Sequence, residues 1–193
     1  DSTQGWINTM DSTSNARGTP LFVTATGGTI TTSGNDKIHT FTGPGTFTVT
    51  QTATCSANNA AAYMIIAGGG GGGVDRGGGG GAGGFREART APITPYTASP
   101  LVAPAGVTVS AQAYPIVIGG GGAGGTAPGP SAPSGVSGSP SSGLGVISAG
   151  GGGGKNSNTG SAFSGGSGGG TSGSSPGGRA SGNTPPVSPP QGN

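Results

Sequence analysis

Few residues in this 193-residue chain could do acid–base, nucleophilic or metal chemistry. Seven Lys and Arg, five Asp and Glu, one histidine and one cysteine give a formal net charge of +2. His39 lies in an alternating segment with no Cys, His or carboxylate cluster beside it, which favours a surface or cross-strand role over metal binding. Asp36, Asp75 and Glu87 are far apart in sequence, so they could form a catalytic pair only if the fold joined two of them. Solvated turn residues are the simpler interpretation.

Cys55 is the only cysteine. An intrachain disulfide is therefore excluded, and a free thiol is favoured over an interchain disulfide. Taken with the scattered carboxylates, this composition predicts no catalytic residues, no metal site, no cofactor and no enzyme activity.

The stretch from Gly150 to Lys155 invites comparison with a phosphate-binding loop. A Walker loop reads Gly-x-x-x-x-Gly-Lys-Ser/Thr, and its lysine and hydroxyl group contact phosphate and magnesium. Here Ala149 stands in place of the first glycine and Asn156 in place of the Ser or Thr. No helical pattern follows, and the dinucleotide motif Gly-x-Gly-x-x-Gly matches trivially inside any glycine tract. Nucleotide binding is therefore not supported.

The chain is organised around short apolar runs that lead straight into glycine tracts. These are Tyr63–Ala67 before Gly68–Gly73, Tyr114–Ile118 before Gly119–Gly122, and Gly145–Ala149 before Gly150–Gly154. Glycine supplies 48 residues and proline 16, whereas the large apolar side chains (Val, Ile, Leu, Met, Phe, Trp, Tyr) number only 33. That is too few for an apolar core to order the whole chain. We expect order to come instead from hydrogen bonds between glycine tracts and from neighbouring subunits.

The apolar pattern predicts strands and no helices. Ile38–Thr42 and Thr46–Thr50 alternate apolar and polar residues, which predicts a hairpin around Gly43-Pro44-Gly45. The unbroken runs Ala61–Ala67 and Tyr114–Ile118 predict fully buried strands. The composition divides the chain into an N-terminal connector or subunit clasp (1–26), a glycine-rich β domain (27–170) and a flexible Ser/Gly/Pro-rich tail (171–193).

A glycine tract can be a flexible linker, a phosphate cradle or an extended threefold helix of the polyproline II type. The threefold helix leaves every N–H and C=O pointing outward, so glycine rods can hydrogen-bond directly to one another. The strand before each tract favours this interpretation, with strands fixing the register and rods forming a layer beside the sheet. Two tracts flank Val74-Asp75-Arg76, which predicts an antiparallel pair. The fold class is therefore all-β, with short antiparallel strands in a β-sandwich-like arrangement and packed polyglycine-II-type segments.

Two short segments are candidates for contact with a receptor. Val74, Asp75 and Arg76 form the turn between glycine tracts and should be exposed. Phe85 and Arg86 follow a glycine pair and could present an aromatic and charged tip, although packing of Phe85 on the sheet edge is the favoured alternative.

Charge and hydropathy exclude some partners. The basic residues are scattered from Arg17 to Arg179, which gives no nucleic-acid-binding patch. No apolar run approaches about 18 residues and no signal peptide is seen, so no membrane span is expected. The chain begins at Asp1 rather than Met, which suggests a piece of a longer polypeptide or a processed product.

One family shares this order of hairpin, apolar strand and glycine tract. The shared stretches are Thr24–Thr32, Asp36–Val49, Tyr63–Gly73, Gly79–Glu87, Pro95–Leu101, Tyr114–Gly125 and Ile147–Gly154. In these stretches the chain resembles the glycine-rich domain of bacteriophage tail-fibre and other virion structural proteins, especially those of cyanophages. Some glycine-rich fibre tips are sandwiches of polyglycine helices with ligand loops at the ends.

The resemblance implies a structural role at the virion surface or outside the cell, supporting or mediating host attachment. We expect copies of the chain itself as partners, in a trimer or helical assembly, with a host surface glycan or outer-membrane protein as receptor. The alternative is a subunit of an extracellular glycine-rich filament with a purely structural role.

Overall fold

A computed structural model of the chain describes residues 20–90, 98–126, 133–156, 161–172 and 179–192. Its regular structure is nearly all β, which confirms the predicted fold class; a single 3₁₀ turn spans Ser56–Asn58. The described strands, in chain order, are β1 (Thr24–Thr26), β2 (Thr29–Ser33), β3 (Asp36–Thr40), β4 (Gly45–Gln51), β5 (Ala60–Ala61), β6 (Tyr63–Ile66), β7 (Phe85–Ala88), β8 (Val102–Ala103), β9 (Val107–Thr108), β10 (Ala113–Ile116), β11 (Ser141–Gly143) and β12 (Val146–Ser148).

The strands form small sheets in the orders β1-β4-β10, β6-β7-β8, β2-β3, β5-β9 and β11-β12. All pairs are antiparallel except β7 with β8. The predicted hairpin around Gly43-Pro44-Gly45 is wrong, because β3 pairs with β2 whereas β4 pairs with β1 and β10. The observed hairpin turns at Gly34-Asn35, where Gly34 has a φ of +57°. A positive φ at the first central residue suits the twist of a two-residue hairpin, and only glycine adopts it without strain.

Six extended glycine-rich segments in the described part of the chain, here called rods, lie beyond the ends of the strands. They are rod 1 (67–73), rod 2 (77–84), rod 3 (119–125), rod 4 (133–139), rod 5 (150–156) and rod 6 (167–172). Backbone hydrogen bonds join rod 3 to rod 1 and rod 1 to rod 2 in one layer, and rod 4 to rod 5 and rod 5 to rod 6 in a second. Further bonds cross between the layers, so the rods form a hydrogen-bonded slab two layers deep.

Hydrogen bonding along each rod repeats every three residues. In rod 1, the N–H groups of Ala67, Gly70 and Gly73 donate to rod 2, and those of Gly68 and Gly71 donate to rod 4. The carbonyl oxygens of the remaining two residues, Gly69 and Gly72, accept hydrogen bonds from rod 3. A β-strand would return to the same neighbour every two residues, whereas a polyproline II helix has three residues per turn. The rods therefore have the predicted polyglycine-II character.

The antiparallel pairing of rods 1 and 2 confirms the expectation for the two tracts that flank residues 74–76. It also continues the β6–β7 ladder without a shift. Ile66 pairs with Phe85, and then the N–H groups of Ala67, Gly70 and Gly73 donate to the carbonyls of Gly84, Gly81 and Gly78. Each step along rod 1 is thus matched by one step back along rod 2.

Two other pairs behave in the same way. The β11–β12 register runs on into rods 4 and 5, and the bridge between Val117 and Ser142 runs on into rods 3 and 4. Strand and polyproline II helix rise by about 3.3 and 3.1 Å per residue, so the change of period barely disturbs the alignment. The register of the strands continues into the rods, which agrees with the prediction that the strands set it. The expectation that rods lie beside the sheet is wrong, because they extend the strands end to end.

Little apolar surface is buried. The buried apolar residues among those described are Val49, Ala53, Ala67, Ala88 and Val109. The two runs predicted as fully buried strands are only half-covered: Met64 is 65% exposed, Ile66 57% and Val117 47%. Burial alternates along both runs, so one face of each strand is half-covered and the opposite face, which carries Met64, Ile66 and Val117, is exposed. The slab is ordered by its main chain rather than by an apolar core.

Glycine is required at the rod positions that face a neighbouring rod, because a side chain has no room there. A Cβ added to Gly151 would lie 2.0 Å from the carbonyl oxygen of Gly81, and one on Gly153 would lie 1.9 Å from that of Gly135. None of the rod glycines has a positive φ, so conformational freedom is not what selects them. Two of the rod alanines, Ala82 and Ala123, are exposed, whereas Ala67 at the start of rod 1 is buried.

The described part of the C-terminal region, residues 179–192, lies against the slab. Asn183 N–H donates to Gly166 O at 2.8 Å, and Phe85 N–H donates to Gln191 O at 2.8 Å. The Gln191 side chain is fully buried: its Oε1 accepts from Ala149 N–H at 2.7 Å, and its Nε2 donates to Pro185 O at 2.9 Å. These residues are therefore held in place where the composition predicted flexibility. The predicted division of the chain into three parts stays a prediction, and residues 1–19 lie outside the described ranges.

Candidate functional site

The five predicted contact residues lie at opposite ends of the slab. Rod 2 begins directly after Arg76 and ends directly before Phe85. Eight residues in a polyproline II conformation span roughly 25 Å at about 3.1 Å per residue. Val74, Asp75 and Arg76 lie at one end, here called the turn end, where rods 3, 5 and 6 also stop. Phe85 and Arg86 lie at the other, here called the strand end, where the β-strands begin.

At the turn end, Asp75 and Arg76 are exposed as expected and Val74 is half-buried. The two exposed residues have φ values of +52° and +61°. Left-handed backbone costs a non-glycine residue roughly 1–2 kcal/mol, so this turn is strained. The strain follows from geometry, because antiparallel rods joined through so few residues need a tight reversal.

At the strand end, Phe85 and Arg86 belong to strand β7 and are half-buried. They pair with Ile66 and Ile65, so they form part of a ladder and not an exposed loop tip. This placement agrees with the simpler interpretation, in which Phe85 packs at the sheet. Arg86 also lines a pocket of about 360 Å³ together with the β11–β12 turn and the C-terminal segment.

Lys155, the lysine of the failed Walker comparison, is buried in rod 5. Its N–H donates to Gly170 O at 3.0 Å, and its carbonyl accepts from Gly78 N–H at 2.7 Å. No helix begins after it among the described residues. The glycines ahead of it have their amides bonded to other rods, so they do not form a phosphate cradle.

The residues that could bind a metal ion do not cluster in the described part of the fold. Within the described ranges, no three His, Cys, Asp or Glu residues come close enough to hold a metal ion. His39 Nδ1 lies 2.8 Å from Gly27 O, and its ring meets Phe47 edge-on at 5.0 Å between centroids. Cys55 is an exposed free thiol. Hydrogen bonds from the Ser110 side chain and backbone lower the pKa of the Tyr114 phenol, and they connect the loop at Ser110 to strand β10.

Among the described residues, the structure contains no helix with the length and apolar character of a membrane span.

Sequence reasoning missed several polar residues that complete the slab. Gly153 N–H donates to Ser137 Oγ at 3.2 Å, Asn156 N–H to Ser134 Oγ at 3.3 Å, and Gly119 N–H to Ser141 Oγ at 2.9 Å. The first two serines are three residues apart, in Ser134-Gly135-Val136-Ser137-Gly138. This three-residue repeat of serine, with glycine at the positions that face other rods, was the sequence signal that could have predicted these hydrogen bonds.

These features define a domain class in which hydrogen-bonded glycine rods, registered by short strands, take the place of an apolar core. Comparison with known families agrees. The sequence profile described as "Glycine-rich domain" matches residues 40–193, about four-fifths of the chain, so the chain belongs to this family. Comparisons with curated proteins and with solved structures give no match.

Proposed function

We propose that this chain is a structural component of a phage tail fibre or virion surface that supports or mediates attachment to a host cell. The observation that carries the proposal is the slab itself, which links a strand end to a turn end through six bonded rods. Such a body is rigid along its length, and it holds the exposed Asp75 and Arg76 at one end. Rigid scaffolds that present loops at one end are a common basis for binding.

The resemblance to phage fibre domains supplies the biological context, and the turn end supplies a contact surface. Asp75 and Arg76 adopt a left-handed backbone conformation that glycine would adopt at a lower free-energy cost. Backbone strain of this kind is often found at functional sites. A host surface glycan or outer-membrane protein is the receptor class that we propose.

Immunogold electron microscopy of lysates from cells that carry the gene tests this role. Antibody raised against the chain should label the distal parts of virion fibres. Labelling along cell-derived filaments, with none on virions, would refute the virion role.

A second function, a self-assembling extracellular filament, is favoured by the outer face of rod 3. Gly120 has no atom within 4 Å of an added Cβ, and Gly121 and Gly124 have only a carbonyl at 3.6 Å. The slab therefore does not need glycine at these positions. A neighbouring copy that packed its own rod here would need it, and a contact that repeats without closing would build a filament.

Sedimentation of Gly120→Val separates these functions, with Gly79→Val as its control. Gly79 also has open space at its Cβ but lies on rod 2. If copies of the chain associate through rod 3, Gly120→Val should sediment without the high-mass assemblies that Gly79→Val still forms, with both variants folded. Equal assembly of the two variants would remove this argument for a filament.

A further inference from the structure

The strand end carries an open surface pocket, in which the lining residue Ile147 remains 60% exposed. Its volume of about 360 Å³ lies at the lower end of the range for ligand pockets. Strand β7 contributes Arg86, strand β12 contributes Val146 and Ile147, and the C-terminal segment contributes Pro185, Val187 and Gln191. The aliphatic side chains supply most of the wall.

The C-terminal wall of the pocket is preformed. Gln191 bonds with both ends of its amide, to Ala149 N–H and Pro185 O. Asn183 Oδ1 accepts from Val187 N–H at 3.1 Å and from Gln191 N–H at 3.2 Å. Residues of the C-terminal wall are therefore hydrogen-bonded to one another, and Gln191 connects the wall to Ala149, which precedes rod 5. A preformed wall lowers the cost of ordering a site when a ligand binds.

Among the described residues, Arg86 is the only charged one that lines the pocket. Its guanidinium makes no hydrogen bond or ion pair with any residue in the described ranges. Arg86 is half-buried as a residue and lies beside aliphatic walls, and a planar carboxylate satisfies the guanidinium fork with two parallel hydrogen bonds. The described lining residues include no second cation to neutralise a dianion such as phosphate.

We propose that this pocket binds a monocarboxylate with a compact aliphatic body. The carboxylate pairs with Arg86, and the body displaces water from Val146, Ile147 and Val187. The described lining residues include no aromatic side chain, on which a sugar ring would commonly stack. The site is separate from the turn end, so it stands or falls independently of host attachment.

Calorimetric titration of the full chain with hexanoate tests the proposal. Hexanol matches the body without the charge, and hexyl phosphate carries the dianion. Hexanoate should bind at least 10-fold more tightly than hexanol, which cannot form a charge-assisted hydrogen bond with Arg86, and at least 10-fold more tightly than hexyl phosphate, whose second charge meets no cation among the described lining residues. Equal binding of hexanol, tighter binding of hexyl phosphate, or no heat from hexanoate at millimolar concentration would overturn it.

Arg86→Gln should weaken hexanoate binding 10-fold or more, and Arg76→Gln at the turn end should leave it unchanged. Val187→Glu should abolish binding as well, because it places the chain's own carboxylate in the pocket beside Arg86. This second variant keeps strand β7 intact, so it remains informative if Arg86→Gln fails to fold. Unchanged binding in a folded Arg86→Gln or Val187→Glu would contradict the assignment.

Discussion

At the residue scale, the meaning of glycine depends on its position in a three-residue period. Gly71 and Gly72 are neighbours in rod 1, yet an added Cβ would lie 2.0 Å from Ala123 O at the first and 3.7 Å from Gly78 O at the second. The first distance is impossible for real atoms, and the second is ordinary van der Waals contact. Adjacent residues of the same type are therefore under different constraints.

Gly71→Ala should destabilise the domain by about 2 kcal/mol or more, because the obstructing atom is backbone and cannot swing away. Gly72→Ala is the matched control. It should be neutral or stabilising by up to about 1 kcal/mol, since alanine reduces the freedom of the unfolded chain. Denaturant unfolding of both variants gives the comparison, and equal stabilities would argue against close rod packing.

The Asp75-Arg76 turn allows a second residue-scale prediction. Arg76 has a φ of +61°, so Arg76→Gly should stabilise the domain by about 1 kcal/mol through relief of left-handed strain. Arg76→Lys keeps the backbone strain and should leave the midpoint of thermal unfolding unchanged. A lower midpoint for Arg76→Gly would show that the arginine side chain stabilises the turn by more than the strain costs.

At the element scale, the strands set the register that the rods inherit. The β11–β12 hairpin turns at Leu144-Gly145, where φ is +53° and +77°, and its register runs on into rods 4 and 5. A shift in the register of this hairpin would therefore also shift the hydrogen-bond register between rods 4 and 5.

Gly145→Ala should cost about 1–2 kcal/mol of unfolding free energy because of its positive φ. Gly43→Ala is the control, since both glycines have open space around an added Cβ but only Gly145 has a positive φ. Chemical denaturation distinguishes them. If Gly145→Ala is as stable as Gly43→Ala, the turn does not constrain the register.

Sequence reasoning reached the elements more readily than their partners. The strand-to-glycine junctions at Ile66 and Ser148 mark real changes of period, because apolar residues stop where side chains no longer fit. The partners of β3 and β4 were missed, since alternation shows that a segment is a strand but not which strand it joins. At the candidate site, exposure of Asp75 and Arg76 followed from a turn between rods. The Arg86 pocket did not, because its wall comes from residues 185–191, distant in sequence.

At the scale of the whole molecule, backbone amides replace apolar side chains as the buried material. Gly151, Gly152, Gly154 and Lys155 each donate and accept a backbone hydrogen bond with another rod. Gly153 donates to Ser137 Oγ and accepts from Phe163 N–H. A chain with few apolar residues can order itself in this way because the buried amides of the rods find partners; among the described residues, the buried hydroxyls of Thr90 and Ser148 are the side-chain groups left without one.

This balance should appear in the heat capacity of unfolding. Exposure of apolar surface raises that quantity and exposure of polar surface lowers it, giving about 12–15 cal/mol/K per residue in ordinary globular proteins. The slab buries mostly peptide groups, so scanning calorimetry should give a distinctly lower value per residue. An ordinary value would mean that apolar burial, within the chain or between copies, stabilises the domain after all.

The most direct test of the central claim is amide hydrogen exchange of the folded chain, resolved by residue with NMR. The account predicts the slowest exchange at Gly151, Gly152, Gly154 and Lys155 in rod 5. In rod 3 it predicts slow exchange at Gly122 and Gly125, whose N–H groups donate to Gly69 O and Gly72 O, and fast exchange at Gly121 and Gly124. Uniformly fast exchange through rod 5, or protection that alternates every two residues, would contradict a slab of hydrogen-bonded threefold rods.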